Sequence, residues 1–185
     1  MVITETPIAG VLLIEPKVHR DDRGFFLESF QSERFRGAGL PDRFVQDNHS
    51  RSTRGVLRGM HYQLRRPQGK LVTAVRGEVF DVALDIRRGS PTFGQWYGAT
   101  LSGDAPRFLY LPPGLAHGFC VLSDVADFVY KCTEQYDPAD DHGVLWSDPG
   151  SAIAWPIDRP TVSPKDERYL PLDAARGDLP DFKTP

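Results

Sequence analysis

Cysteine is scarce in this sequence: Cys120 and Cys132 are the two present. Two thiols cannot build a disulfide framework or a cysteine-based zinc site. Both sit in apolar, strand-like runs, where buried free thiols are expected, and neither calls for an oxidising compartment, so a cytoplasmic setting is the expectation. Long apolar runs are missing as well. The longest, residues 8–14, spans seven positions, far short of the about 20 that a membrane-crossing helix needs. Glu5 and Pro7 stand where a secretory leader would need its apolar stretch, which argues against export. Charge of one sign is also lacking: 22 Lys and Arg against 25 Asp and Glu leave a net −3. That balance excludes a protein that coats nucleic acid through a general basic surface. It leaves room for a local basic pocket that takes one small anion. No sustained 3.6-residue periodicity runs through the chain, which excludes a helical bundle.

Gly and Pro are abundant instead, 17 and 16 among 185 residues, about half again the usual share. They punctuate short runs rich in Val, Leu, Phe and Tyr, the pattern of many short strands joined by turns. Strands are predicted at residues 11–14, 25–30, 71–75, 78–86, 96–101, 107–111, 118–121 and 128–133. One early helix is predicted at 32–36, stopped by Gly37 and Gly39. After Trp155, proline recurs at Pro156, Pro160, Pro164, Pro171, Pro180 and Pro185. That tail is expected to pack as loops or short turns, not as a central strand. The length predicts one domain, of all-β class, a sandwich or barrel with its core over about residues 45–135.

Residues 79–86 repay a parity count. Phe80, Val82, Leu84 and Ile86 share one face, which joins an apolar layer. Val79, Asp81, Ala83 and Asp85 share the other, open to water or to a polar cavity. Lining a cavity, Asp81 would orient a nearby cation.

Two histidine motifs stand out. The first runs Gly55-Val-Leu-Arg58-Gly59-Met60-His61-Tyr62-Gln63, followed by Gly69-Lys70 and Gly77; the second is Pro112-Pro113-Gly114-Leu-Ala-His117-Gly118. Together they resemble the paired motifs of the cupin superfamily, double-sheet jelly-roll barrels. Where a metal-binding cupin offers a second histidine, this chain has Gln63, and where it offers a carboxylate, Lys70. A neutral amide is a poor ligand for a transition metal, and an ammonium group has no lone pair to give. The pocket is therefore expected to be metal-free. A neutral imidazole can accept a proton near pH 7, and a lysine ammonium can stabilise charge forming on an oxygen. That pair suits proton abstraction beside a carbonyl, with the substrate's own ketone as the electron sink and no cofactor. Inversion also needs an acid on the opposite face, for which Tyr130 and Tyr136 are candidates.

The whole chain then resembles the dTDP-4-dehydrorhamnose 3,5-epimerase family of dTDP-L-rhamnose and polysaccharide biosynthesis. The stretches that carry the likeness include Asp22-Arg23-Gly24-Phe25-Phe26-Leu27-Glu28-Ser29, Val45-Gln46-Asp47-Asn48-His49-Ser50, Gln68-Gly69-Lys70-Leu71-Val72, Ala116-His117-Gly118-Phe119, Phe128-Val129-Tyr130-Lys131 and Ser163-Pro164-Lys165-Asp166. The resemblance implies His61 as the base, Asp166 as its dyad partner, Tyr130 as proton donor, and Lys70 facing the C4 oxygen with Asp81 positioning it. It implies that His117, Asn48 and Gln46 line the sugar pocket or its approach. Arg23, Arg58 and Lys165 supply charge for the diphosphate, Glu28 and Asp47 complete the nucleotide site, and Tyr136 and Asp141 contact substrate. It further implies a homodimer in which early-chain residues such as Arg23 and Glu28 reach a neighbour's pocket. Trp146 and Trp155 are expected to serve packing, and His142 to be an exposed loop residue. Three other readings stay open. They are an epimerase acting at C3 or C5 alone, a 3,4-ketoisomerase of the same broad fold, and a metal-dependent oxygenase or non-catalytic sugar-binding barrel.

Overall fold

The computed structural model describes residues 1–182; Pro185 lies outside them. Among the described residues the chain runs through β1 (Val2–Glu5), β2 (Leu12–Glu15), β3 (Val18–Asp21), β4 (Gly24–Leu27), helix α1 (Ser32–Gly37), β5 (Gln46–Thr53) and β6 (Leu57–Tyr62). It continues with β7 (Lys70–Arg76), β8 (Glu78–Asp85), β9 (Trp96–Ser102), β10 (Phe108–Leu111), β11 (Leu115–Val121), β12 (Val125–Cys132) and the short β13 (His142–Gly143). One antiparallel sheet has the order β1-β2-β10-β7-β12-β5 and a second β13-β6-β11-β8-β9, while β3 and β4 form a separate hairpin. This is the cupin-type double sheet that the sequence predicts.

Alternation on the strands sorts residues into layers. Val72, Ala74 and Leu109 of the larger sheet pack against Val79, Leu101 and Phe119 of the smaller one. Each large side chain fully buried there contributes about 1.5–3 kcal/mol. The outer faces are covered too. Phe35 of α1 packs on Ile14, Leu71 and Phe108. Val82 and Leu84 of β8 join Met60, Ala116, Val144 and Leu179, roofed by Trp155 and Leu172 of the tail. The even face of β8 is thus the apolar layer that parity predicts. Its odd face turns inward, so that Asp81 and Asp85 are both fully buried. Asp85 is spent on structure, accepting from Arg87, Ser90 and Thr92.

Several elements depart from the sequence expectation. The 25–30 strand ends at Leu27, and the strands expected at 118–121 and 128–133 begin earlier, at Leu115 and Val125. β1, β3, β5, β6 and β13 were not predicted. His142 is half-buried in β13, stacked on Tyr62 with ring centroids 5.5 Å apart, because β13 pairs with β6. It is not an exposed loop residue. The tail behaves as expected, as loops with isolated bridges at Thr161 and Asp181 and one 3-10 turn at Asp166–Arg168.

An irregularity in β6 shapes the site. His61 lies opposite His117, but Arg58 lies opposite Phe119, so three steps along β6 match two along β11. This is a β-bulge. Residues 58 and 61 are an odd number apart and in a regular strand would point to opposite faces; here both line one cavity. Gly59 makes the bulge feasible. Its φ is +136°, and a Cβ there would fall 2.5 Å from the Gly118 Cα. Gly59→Ala is expected to cost about 2–4 kcal/mol of stability through strain and overpacking. Chemical denaturation measures it, and a loss below about 0.5 kcal/mol would show that this crossing relaxes freely.

Candidate active site

Two adjoining cavities of about 450 and 270 Å³ open between the sheets and share His61, Lys70, Tyr130 and Lys165 in their walls. β6 supplies His61 from one sheet, while β7 and β12 supply Lys70 and Tyr130 from the other. The tail folds across the mouth and delivers Asp166. Thr161 is held by backbone hydrogen bonds from Leu57 N–H (2.9 Å) and to Gly55 O (2.8 Å), which brings the 3-10 turn against β6.

His61 Nε2 and Asp166 Oδ1 lie 2.7 Å apart. Burial opposes charge on Asp166, but the hydrogen bonds from His61 and from Gly59 N–H outweigh it and hold the carboxyl below its usual range. The ionised carboxylate fixes the proton on Nε2, so that Nδ1 presents its lone pair. A second pair lies deeper: His117 Nε2 is 2.8 Å from Asp81 Oδ2. The two histidines differ in access. The His61 side chain is 30% exposed and that of His117 is 7%, packed among the rings of Phe119, Phe128 and Tyr130. Burial pushes the His117 imidazole down despite Asp81 beside it, which keeps it neutral. His61 is the histidine placed to meet a ligand.

Lys70 is buried. Burial pushes its ammonium below the ordinary lysine value, against the opposing influence of Cys132, Asp81 and Asp141. Tyr130 is held above the usual phenol range by burial and by Cys132, so it keeps its proton at neutral pH. At the rim, Asp141 Oδ2 accepts from the Tyr136 hydroxyl (2.9 Å) and from Lys165 Nζ (2.7 Å). Gln46 and Asn48 face inward from β5 and bond to each other at 3.1 Å. Arg58 rests on the Ser52 hydroxyl at 3.1–3.2 Å.

The geometry therefore brings an imidazole, the carboxylate bonded to it, a buried lysine and a protonated phenol around one space. Among the described residues, no three His, Cys, Asp or Glu side chains converge as a metal cage. Gln63, at the position where a metal-binding cupin has a ligand, spends its amide on the loop: Nε2 donates to Arg66 O and Gln135 O, and Oε1 accepts from Asp137 N–H.

Comparison with known proteins gives the family. The family model for dTDP-4-dehydrorhamnose 3,5-epimerase matches residues 5–174. The chain belongs to that family. It is 55% identical to the dTDP-4-dehydrorhamnose 3,5-epimerase of Pseudomonas aeruginosa over 91% of its own length and 94% of the relative's. It is also 47% identical to a dTDP-4-dehydrorhamnose 3-epimerase of Streptomyces niveus, over 96% and 87%. Its fold superposes on a crystal structure of dTDP-6-deoxy-D-glucose-3,5-epimerase from Legionella pneumophila, solved in complex with dTDP-4-keto-L-rhamnose, with TM-score 0.95 at 51% identity over 99% of both chains.

Three residues implied by the family resemblance stand apart from these cavities within the single chain. Arg23, 90% exposed, pairs with Asp21 at the tip of the β3–β4 hairpin. Glu28 pairs with Arg34. Asp47 alternates away from Gln46 and Asn48 and pairs with Lys131 on the outer face. Tyr169 was not singled out from the sequence, yet its ring lies beside His61; it sits in a Pro-rich tail where no spacing signal marks it.

Proposed function

We propose that this chain is the epimerase that inverts C3 and C5 of dTDP-4-dehydro-6-deoxy-D-glucose to give dTDP-4-dehydro-L-rhamnose. The observation that carries the reading is the His61–Asp166 dyad sharing one cavity with Lys70 and Tyr130. His61 Nδ1 takes the proton from the carbon beside the C4 ketone. The C–H electron pair moves into an enolate, whose oxygen is stabilised by the Lys70 ammonium. Tyr130 returns a proton to the same carbon from the opposite face, which inverts it. His61 then loses its proton and Tyr130 regains one by exchange with solvent, and the cycle repeats at the second carbon. Asp166 stabilises the imidazolium between the two transfers.

Arg58 and Lys165 bind the diphosphate, and Gln46, Asn48, His117, Tyr136 and Asp141 shape the sugar site and its rim. Arg23, Glu28 and Asp47 serve the nucleotide site across a homodimer, where the exposed hairpin with Phe25 and Phe26 reaches a neighbour. Two buried free thiols suit a reducing cytoplasm.

The relative that acts as a 3-epimerase supports a second reading, inversion at C3 alone, since the same base and cation serve either outcome. Turnover in deuterium oxide followed by NMR separates them. Label is expected at both C3 and C5, with a coupled reductase trapping the product. Label at one carbon would replace the double epimerase by a single one, and label at neither would remove the carbanion mechanism.

A further inference from the structure

His61 has a second neighbour that the mechanism above leaves unused. Tyr169 follows directly on the 3-10 turn that carries Asp166. Its ring meets the His61 imidazole edge to face, with centroids 5.9 Å apart at 68°. The space for it exists because residue 143, paired with His61 across β13 and β6, is glycine: a Cβ there would fall 2.3 Å from the Tyr169 ring. The ring is locked in place by its surroundings. Leu145 N–H donates to Leu170 O at 3.0 Å and Arg168 N–H to Lys165 O at 3.1 Å, while Lys165 Nζ sits 5.8 Å from the ring centroid. The Tyr169 hydroxyl is closed off from solvent, with the Lys165 ammonium as its charged neighbour. The contact with His61 is made by the ring and not by the hydroxyl.

A single hydrogen bond to Asp166 leaves the imidazole able to rock about the Nε2···Oδ1 line. A packed aromatic edge removes that freedom, and proton transfer to Nδ1 depends steeply on direction. We propose that Tyr169 is a positioning residue for the proton transfer, its ring forming the second support of His61, so that one 3-10 turn fixes the base through both a hydrogen bond and a packing contact. This role presupposes His61 as the base.

Steady-state kinetics of Tyr169→Ala, Tyr169→Phe and His61→Ala, with thermal melts of each, test it. Tyr169→Ala is expected to lower kcat about 10-fold to 100-fold with KM held within about threefold, and Tyr169→Phe to recover most of that loss. The primary deuterium isotope effect on kcat should rise in Tyr169→Ala as proton transfer becomes rate-limiting. Should the alanine variant fail to fold, Tyr169→Leu takes its place with the same expectation. Wild-type kcat in a folded Tyr169→Ala or Tyr169→Leu, while His61→Ala is inactive, overturns the positioning role alone. Equal losses in the alanine and phenylalanine variants overturn it too, because they would place the effect in the hydroxyl. Wild-type turnover in His61→Ala overturns both the base assignment and the role built on it.

Discussion

His61→Ala is expected to lower kcat by about 10²–10⁴, the range that a positioned general base contributes, while leaving affinity for the nucleotide sugar nearly intact. The two effects separate because the groups differ. Arg58, Lys165 and Asn48 line the cavity walls independently of His61, so removing the imidazole deletes the proton acceptor without deleting the binding surface. Asp166→Asn is expected to follow in the same direction. An amide in place of the carboxylate no longer dictates a proton on Nε2, and it withdraws the charge that stabilises the imidazolium. His117→Ala makes an informative contrast. This imidazole is buried and neutral, so its loss opens a hole in the wall and weakens binding more than chemistry. Titration calorimetry with the nucleotide sugar and proton-exchange NMR measure the two quantities separately. Near-normal exchange in His61→Ala would take the base role away from His61, whereas absence of exchange in the wild type would leave a sugar-binding barrel without chemistry.

Much of the fold was legible because its inner strands obey simple rules. β8 could be read by parity, since Phe80, Val82 and Leu84 on one face are uniformly apolar and the turns around them are marked by glycine. β5 escaped for the opposite reason. Its sequence, Gln46-Asp47-Asn48-His49-Ser50-Arg51-Ser52-Thr53, offers no apolar face, because its inward residues line a polar cavity in place of a core. Alternation is still present there, with the even positions turned inward, but hydropathy is blind to it. β6 was hidden by its bulge, which breaks the two-residue period where Arg58 and His61 must point the same way. Strands that build sites break the patterns by which strands are recognised.

The site divides along a similar line. His61, Lys70, Tyr130 and Asp166 were named from the sequence and converge in space, because each sits on an element that the fold brings to one cavity. Asp81 was expected to position Lys70. The structure gives it a direct partner in His117 and leaves its influence on Lys70 at longer range. Tyr169 went unseen because nothing in the tail's composition reveals that a 3-10 turn will lay it beside β6. Arg23, Glu28 and Asp47 show the other limit: in the single chain they pair with Asp21, Arg34 and Lys131 away from both cavities.

Lys70→Ala is expected to lower kcat by about 10²–10³, the usual cost of deleting one donor aimed at a developing oxyanion. The pH profile carries the sharper test. Stabilising an enolate requires the ammonium form, and burial has already moved Lys70 below the ordinary lysine value. Activity should therefore fall as pH rises through that lowered value, at a pH below 10.5. Tyr130 must also be protonated, but burial moves it the other way, above the usual 10, so a limb that disappears on replacing Lys70 belongs to Lys70. Lys70→Arg keeps a charge that does not titrate in this range, though in a larger, planar group that fits the buried site less well. Partial activity is expected from it, with the first alkaline limb gone. Stopped-flow or NMR rates between pH 7 and about 11 measure this, compared with wild type at each pH. An unchanged limb in Lys70→Arg, or an alanine variant within about threefold of wild type, would take the oxyanion role away from Lys70.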